Sequence, residues 1–236
     1  VPILVISPTT LAGTNAATAN STAANFLDSK LNQGSAGNDN YGADSRLEVG
    51  KVFSSTTALR DIFQFNISEI PTGAVVQSAT FSAYRPGGNN DVQTVNLHGL
   101  TESFVEGQVT WTIKSSGINW GTAGGSFGAL ISSATLNGTK TRYNWDVKSL
   151  VESWVTTPAN NFGLLLKTGE TLNKSHQINT KEIGTLGLRP GLTVTYVIPE
   201  PCAAITNRAP LAQPDYATVV NGKSVVISPL PNDADV

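Results

Sequence analysis

Two-residue alternation in two segments constrains this 236-residue chain more than any other feature. In LRDIFQFNI (59–67), Leu59, Phe63, Phe65 and Ile67 share one face, and Arg60, Gln64 and Asn66 share the other. In VVQSATFSAYR (75–85), Val75, Ala79, Phe81 and Ala83 fall on one side. Side chains alternate across a strand, so segments of this kind bury one face and wet the other. ILVIS (3–7), VQTVNLHGL, FGLLLK and GLTVTYV add further short strands, separated by Gly, Asn and Pro clusters. This spacing predicts an all-β, antiparallel, jelly-roll-like β-sandwich, because a parallel sheet would need alternating helical patterns.

One segment has a helical period. In DVKSLVESWV, Val147, Leu150, Val151 and Trp154 recur at i, i+3, i+4 and i+7. The spacing predicts a single helix of about three turns covering an open end of the sandwich. Asp146 is the expected N-cap, and Pro158 stops extension beyond Thr157.

Residues 8–45 read as irregular, with small polar residues around one apolar island, Phe26-Leu27. Long loops of this kind in compact domains serve function or remain disordered. At the other end, residues 199–214 read as a Pro-rich linker. In YATVVNGKSVVIS, Asn221-Gly222 separates two β-branched runs, a strong hairpin signal. The domains expected are therefore a sandwich over 1–198, the linker over 199–214, and a C-terminal β-hairpin segment within 215–236. That last segment is similar to the opening of a bacterial Ig-like or cadherin-like repeat, and is too short to bury a core of its own.

Charged residues make up 14% of the chain and the net charge is −2. Nucleic acid is not an expected partner, because it needs a clustered basic face. No apolar run is long enough to span a bilayer. The chain opens Val1-Pro2 and contains no Met, as in a mature secreted product. Cys202 is the single cysteine, so no internal disulfide can form. It lies in the linker, where an incidental thiol is the ordinary reading.

Aromatic side chains are the residues that could recognise a sugar, since a flat ring stacks on a pyranose face. Trp154 lies on the apolar helix face and reads as core. Trp111 and Trp145 read mainly as core, with Trp111 kept as a possible contact. Trp120, in the Gly-rich loop SSGINWGTAGGSFG, is the foremost platform candidate, and Tyr41 and Tyr143 are weaker ones. Calcium is the plausible metal, in a structural role, because it takes oxygen from carboxylates, Asn side chains and loop carbonyls. Asp28, Asn38, Asp39, Asn40 and Asp44 are concentrated in the early polar stretch. Asp61 falls on the apolar face of its strand, where a carboxylate must be paired, at an edge, or bound to metal. His98 and His176 are far apart, which argues against zinc. No Gly-x-Ser-x-Gly elbow, phosphate loop or supported Cys–His pair is present. Carboxylate pairs such as Glu102 and Glu106 occur in any soluble protein, so no catalysis and no organic cofactor are expected.

Taken in order, ESFVEGQVTW (102–111), WDVKSLVESWVTTPANNFGLLL (145–166) and RPGLTVTY (189–196) resemble the DNRLRE-type domain of secreted and surface proteins. Asn40-Tyr41-Gly42 with Leu47, Val49 and Gly50 matches its early strand. Arg60, Phe65, Ser68, Ile70 and Pro71 match its Arg-to-Ile-Pro segment, with Gly73 and the Ala74–Phe81 strand after it. Glu102, Glu106, Trp111, Trp145, Asp146, Val147, Glu182, Arg189 and Pro190 match later positions. Gln64, Asn66 and Asn25 stand where the family often has Arg, Asp and Asp. The resemblance covers roughly residues 25–198. It implies a noncatalytic β-sandwich counted among carbohydrate-binding modules, some of whose members bind acidic or plant and algal polysaccharides.

Two functions follow as expectations. One is a polysaccharide-binding module of a larger secreted or surface protein, extracellular and bacterial or archaeal. The other is a structural subunit of a surface fibre or adhesin, in which residues 216–230 pair with a sheet edge of a neighbouring copy.

Overall fold

A computed structural model of the chain describes residues 3–6, 26–34, 38–52 and 57–197. The linker, the expected hairpin and Cys202 lie outside the described residues.

The strands are β1 (Ile3–Ile6), β2 (Phe26–Asn32), β3 (Arg46–Lys51), β4 (Ala58–Phe65), β5 (Val75–Tyr84), β6 (Gln93–Leu100), β7 (Ile113–Ser115), β8 (Ile118–Asn119), β9 (Phe127–Leu136), β10 (Arg142–Asp146), β11 (Leu164–Lys167), β12 (Ser175–Asn179) and β13 (Gly191–Val197). They form a four-stranded sheet, β1-β13-β5-β10, and a seven-stranded sheet, β12-β3-β4-β11-β6-β9, in which β2 also pairs with β4. The short β7-β8 ribbon stands apart. Strand pairings are antiparallel. The all-β sandwich expected from alternation is the architecture observed.

Alternation decides which residues meet between the sheets. Phe63 and Phe65 from β4, Val95 and Leu97 from β6, and Leu164 and Leu166 from β11 point inward. They meet Ala79, Phe81 and Ala83 from β5 and Leu192 and Val194 from β13. Aromatic rings cross the gap: Phe81 lies 5.1 Å from Phe63 and 5.8 Å from Phe65, centroid to centroid, and 5.5 Å from Trp145, its cross-strand neighbour in the same sheet. Trp145 is fully packed because its indole N–H donates to Val95 O at 2.9 Å, so no buried donor is wasted.

The single helix, α1 (Lys148–Thr156), turns Val151, Trp154 and Val155 into this core. Asp146 does bond the helix start, accepting Lys148 N–H at 2.9 Å, but it stands one residue before the N-cap, Val147. Pro158 opens a 3₁₀ turn that ends at Asn160.

The irregular reading of residues 8–45 is corrected over Phe26–Asn32. This segment is β2, paired with β4 from Phe26↔Phe65 to Asn32↔Leu59. Its alternation is masked because three polar residues, Asp28, Ser29 and Lys30, are buried there. Phe26 faces the main core, while Leu31 faces a second cluster on the outer side of the large sheet.

That second cluster explains the 101–126 excursion between β6 and β9. Ala58, Ile62 and Leu165 point out of the sandwich, and Phe104, Val109, Trp111 and Trp120 cover them. One end of the outer sheet face is thus roofed, and the other end stays open.

Candidate functional site

The open part of the seven-stranded sheet presents the outward residues of β11, β6 and β9. The register places Lys167 opposite Asn96 and Asn96 opposite Ser133, with Thr94 opposite Thr135 in the adjacent row. His98 follows on the other side, with its Nδ1 3.0 Å from Gly128 O. These rows make a flat polar strip across three strands. A shallow pocket of about 180 Å³ adjoins it, lined in part by Thr94, Thr168, Glu170 and Leu172.

Phe127 stands at the head of this strip, half-buried. Its ring lies 4.8 Å from His98, 5.3 Å from the Lys167 ammonium and 5.5 Å from the Arg60 guanidinium. Arg60 also lies 4.7 Å from the centroid of Trp111. Cations over aromatic faces attract the ring quadrupole. Glu170 holds Arg60 in place, accepting from Nε at 2.7 Å and Nη2 at 3.2 Å. It does so with φ at +54°, a conformation side chains seldom adopt, which the ion pair and the Thr168 Oγ1 bond to its N–H hold in place. Gly124 permits the close approach: it has φ +83°, and a Cβ there would meet Trp111 at 2.6 Å and Arg60 Nη1 at 2.7 Å. The arrangement puts a half-buried ring beside charged side chains and next to the outward Asn96 row.

Trp120 occupies a different position from the exposed platform expected. It is 5% exposed, and its indole N–H donates to Thr110 O at 3.0 Å. The Gly-rich loop folds down because Phe104, Val109 and the outer face of β4 and β11 offer apolar surface to bury. Trp111 is 8% exposed and reaches the site through Arg60, whose guanidinium lies over its ring. Tyr143 spends its hydroxyl on Asn137 Oδ1 at 2.8 Å. Tyr41 carries Lys30 over its ring at 4.1 Å and accepts from Asn32 Nδ2 at 2.8 Å. Neither tyrosine lies on the strip. In the sequence Arg60 reads as an outward position of an alternating strand and Phe127 as part of the Gly-rich loop, and nothing there brings Phe127, Lys167, His98 and Arg60 together.

The oxygen-rich residues separate in the same way. Asn40 Nδ2 ties its loop to Glu106 O at 2.6 Å and Val109 O at 2.7 Å. Asp39 and Asp44 are exposed, and Asp44 contributes a backbone carbonyl, accepting from Thr180 Oγ1 at 2.7 Å. Asn38 is likewise exposed. Asp28, by contrast, is buried beside the half-buried Glu106 and Glu182: one carboxylate oxygen from each lies within 4.8 Å of the others. Asp28 Oδ2 accepts Lys181 N–H at 2.9 Å, and Glu106 Oε1 accepts Asp28 N–H at 2.7 Å. The Lys181 ammonium bonds Glu106 Oε1 and stands 3.6 Å from Glu182 Oε1. Burial, then the Glu182 charge, push the Asp28 carboxyl well above the usual carboxylate range.

Asp61 is completely buried, as its place in the alternation predicts, and neither oxygen has a hydrogen-bond partner of good geometry. Burial raises its pKa strongly, while the charge of Lys30, directly across the β2–β4 ladder, opposes the rise. It stands apart from the three-carboxylate cluster. Glu102 shows the opposite behaviour: hydrogen bonds from Lys114, Ser126 and the Gly121 N–H bring its carboxyl down to about 2. It therefore works as a fixed tie across the excursion and has no proton to exchange near neutrality.

The fold is a two-sheet antiparallel β-sandwich whose larger sheet leaves part of its outer face open, an architecture shared by many extracellular and binding modules. The model of carbohydrate-binding module family 96 matches residues 18–196, well over half of the chain, and the chain belongs to that family. A comparison with curated proteins returned no match. Among the described residues, no helix is long and apolar enough to cross a membrane.

Proposed function

We propose that the chain is a noncatalytic, extracellular module that anchors a larger secreted or surface protein to a polysaccharide, bound along the open strip of the seven-stranded sheet. The observation that carries this reading is the convergence of His98, Arg60 and Lys167 on the half-buried ring of Phe127. Phe127 supplies the stacking face. Asn96, Ser133 and the Thr94–Thr135 pair extend a row of donors and acceptors along which successive sugars can lie. Lys167 is one-fifth exposed and shares Glu170 with Arg60, so it can bond hydroxyl or carboxylate groups without losing its own partner. Strands set these positions rigidly, which limits the entropy lost on binding.

The test is affinity electrophoresis through gels containing a panel of neutral and acidic plant and algal polysaccharides. At least one should retard the protein. Phe127→Ala should weaken binding about tenfold, or ~1.4 kcal/mol, as expected for an aromatic anchor. Ser68→Ala, on the turn after β4, should leave it unchanged. Retardation that survives Phe127→Ala and Lys167→Ala unchanged would move the site elsewhere. Absence of retardation across the panel would remove the reading.

A further inference from the structure

We propose that Asp28, Glu106 and Glu182 hold a calcium ion that clasps β2 to the 101–126 excursion and to the turn after β12. Each residue offers one carboxylate oxygen, and the three lie within 4.8 Å of one another. That span matches two calcium–oxygen bonds of roughly 2.3–2.6 Å. The donors are oxygen alone, which suits a hard cation and excludes a softer metal's preference for sulfur and imidazole.

Acidic residues often gather without a metal, but this group has two features that simple crowding does not explain. Asp28 is 0% exposed, and among the described residues its Oδ1 has no hydrogen-bond partner; the buried Oε2 of Glu182 has none there either. A buried, unpaired carboxylate oxygen is costly unless a proton or a cation meets it. The local charge is also unbalanced. Among the described residues, Lys181 contributes the one ammonium that bonds the group, against three carboxylates. A divalent cation supplies the two missing positive charges, and Lys181 can keep its bond to Glu106 while the ion takes the unclaimed oxygens. The competing state is a proton on Asp28 with Lys181 as sole counter-charge.

The three ligands come from segments far apart in the chain, so the ion would close long loops in the folded state and bind the unfolded chain poorly. Mass action then stabilises the native state. The experiment uses chelator-treated protein titrated with calcium chloride, followed by calorimetry and thermal melting. One calcium per chain should bind, and the melting temperature should rise by roughly 5–10 °C at a hundredfold excess over Kd. Glu182→Gln, at a side chain one-quarter exposed and therefore tolerant of change, should weaken calcium roughly tenfold or more by removing a ligand charge. Asp28→Asn should do the same. Asp44→Asn, at an exposed acid of the neighbouring loop, should leave the affinity unchanged. Lys181→Gln separates the two states. With an ion in the cluster, calcium should restore this variant's melting temperature. With Lys181 as the sole counter-charge, calcium should do nothing for it. No heat and no melting shift in millimolar calcium, or equal affinity in Glu182→Gln and Asp44→Asn, would overturn the proposal. These readouts involve no glycan, so they succeed or fail independently of polysaccharide binding.

Discussion

The pair Arg85–His176 makes acid stability a quantitative test of the fold. Arg85, at the end of β5, is fully buried. Its guanidinium donates from Nη1 to Gly138 O at 3.0 Å, from Nη2 to Asn89 O at 2.5 Å, and from Nε to His176 Nδ1 at 2.9 Å. His176 is also fully buried and must stay neutral at Nδ1 to accept that bond. Burial, then the Arg85 charge, bring its pKa down from 6.5 to about 4. The sign follows from linkage. The unfolded chain takes up the proton first, so this stabilisation is complete above pH 6.5 and is lost as pH falls toward 4. With those two values the loss is about 2 kcal/mol between pH 7 and pH 5, and about 3 kcal/mol by pH 4.

Asp28 and Asp61 act in the opposite direction: their raised pKa values favour the folded state as pH falls. The measurement must therefore be a difference. His176→Gln keeps an amide oxygen for Arg85 Nε and cannot titrate. Urea unfolding of both proteins, followed by tryptophan fluorescence at pH 7, 6 and 5, should show the gap between them shift by about 2 kcal/mol in the variant's favour. Parallel stability profiles over that range would refute the assignment of a neutral, low-affinity proton site to His176.

Two further outcomes complement the glycan and calcium tests. Trp120→Ala should behave as a core truncation, costing about 3–5 kcal/mol in urea unfolding, because the indole fills the cluster between the excursion and the sheet; glycan retardation lost at full stability would instead show an exposed platform. Deleting residues 207–236 separates a binding module from a fibre subunit. A module should keep its melting temperature, its glycan retardation and its mass in light scattering, whereas a fibre subunit should lose an assembled state.

Local alternation was enough to read the sandwich, because burying one face of LRDIFQFNI or VVQSATFSAYR leaves a strand little choice of orientation. The helix was legible for the same reason, through Val151 and Trp154. Asp61 was also correctly read as a buried carboxylate, from its parity alone. Strand β2 was not legible, because buried Asp28, Ser29 and Lys30 look like loop residues until their partners are known. Trp120 illustrates the limit most clearly. Its glycine-rich surroundings suggest exposure, yet whether a flexible loop points out or folds down depends on the apolar surface that Ile62 and Leu165 offer from strands distant in the chain. The two candidate sites belong to that same level. Phe127 meets Arg60 and Lys167, and Asp28 meets Glu106 and Glu182, only after the sheet has closed, because each group is gathered from segments that periodicity treats one at a time.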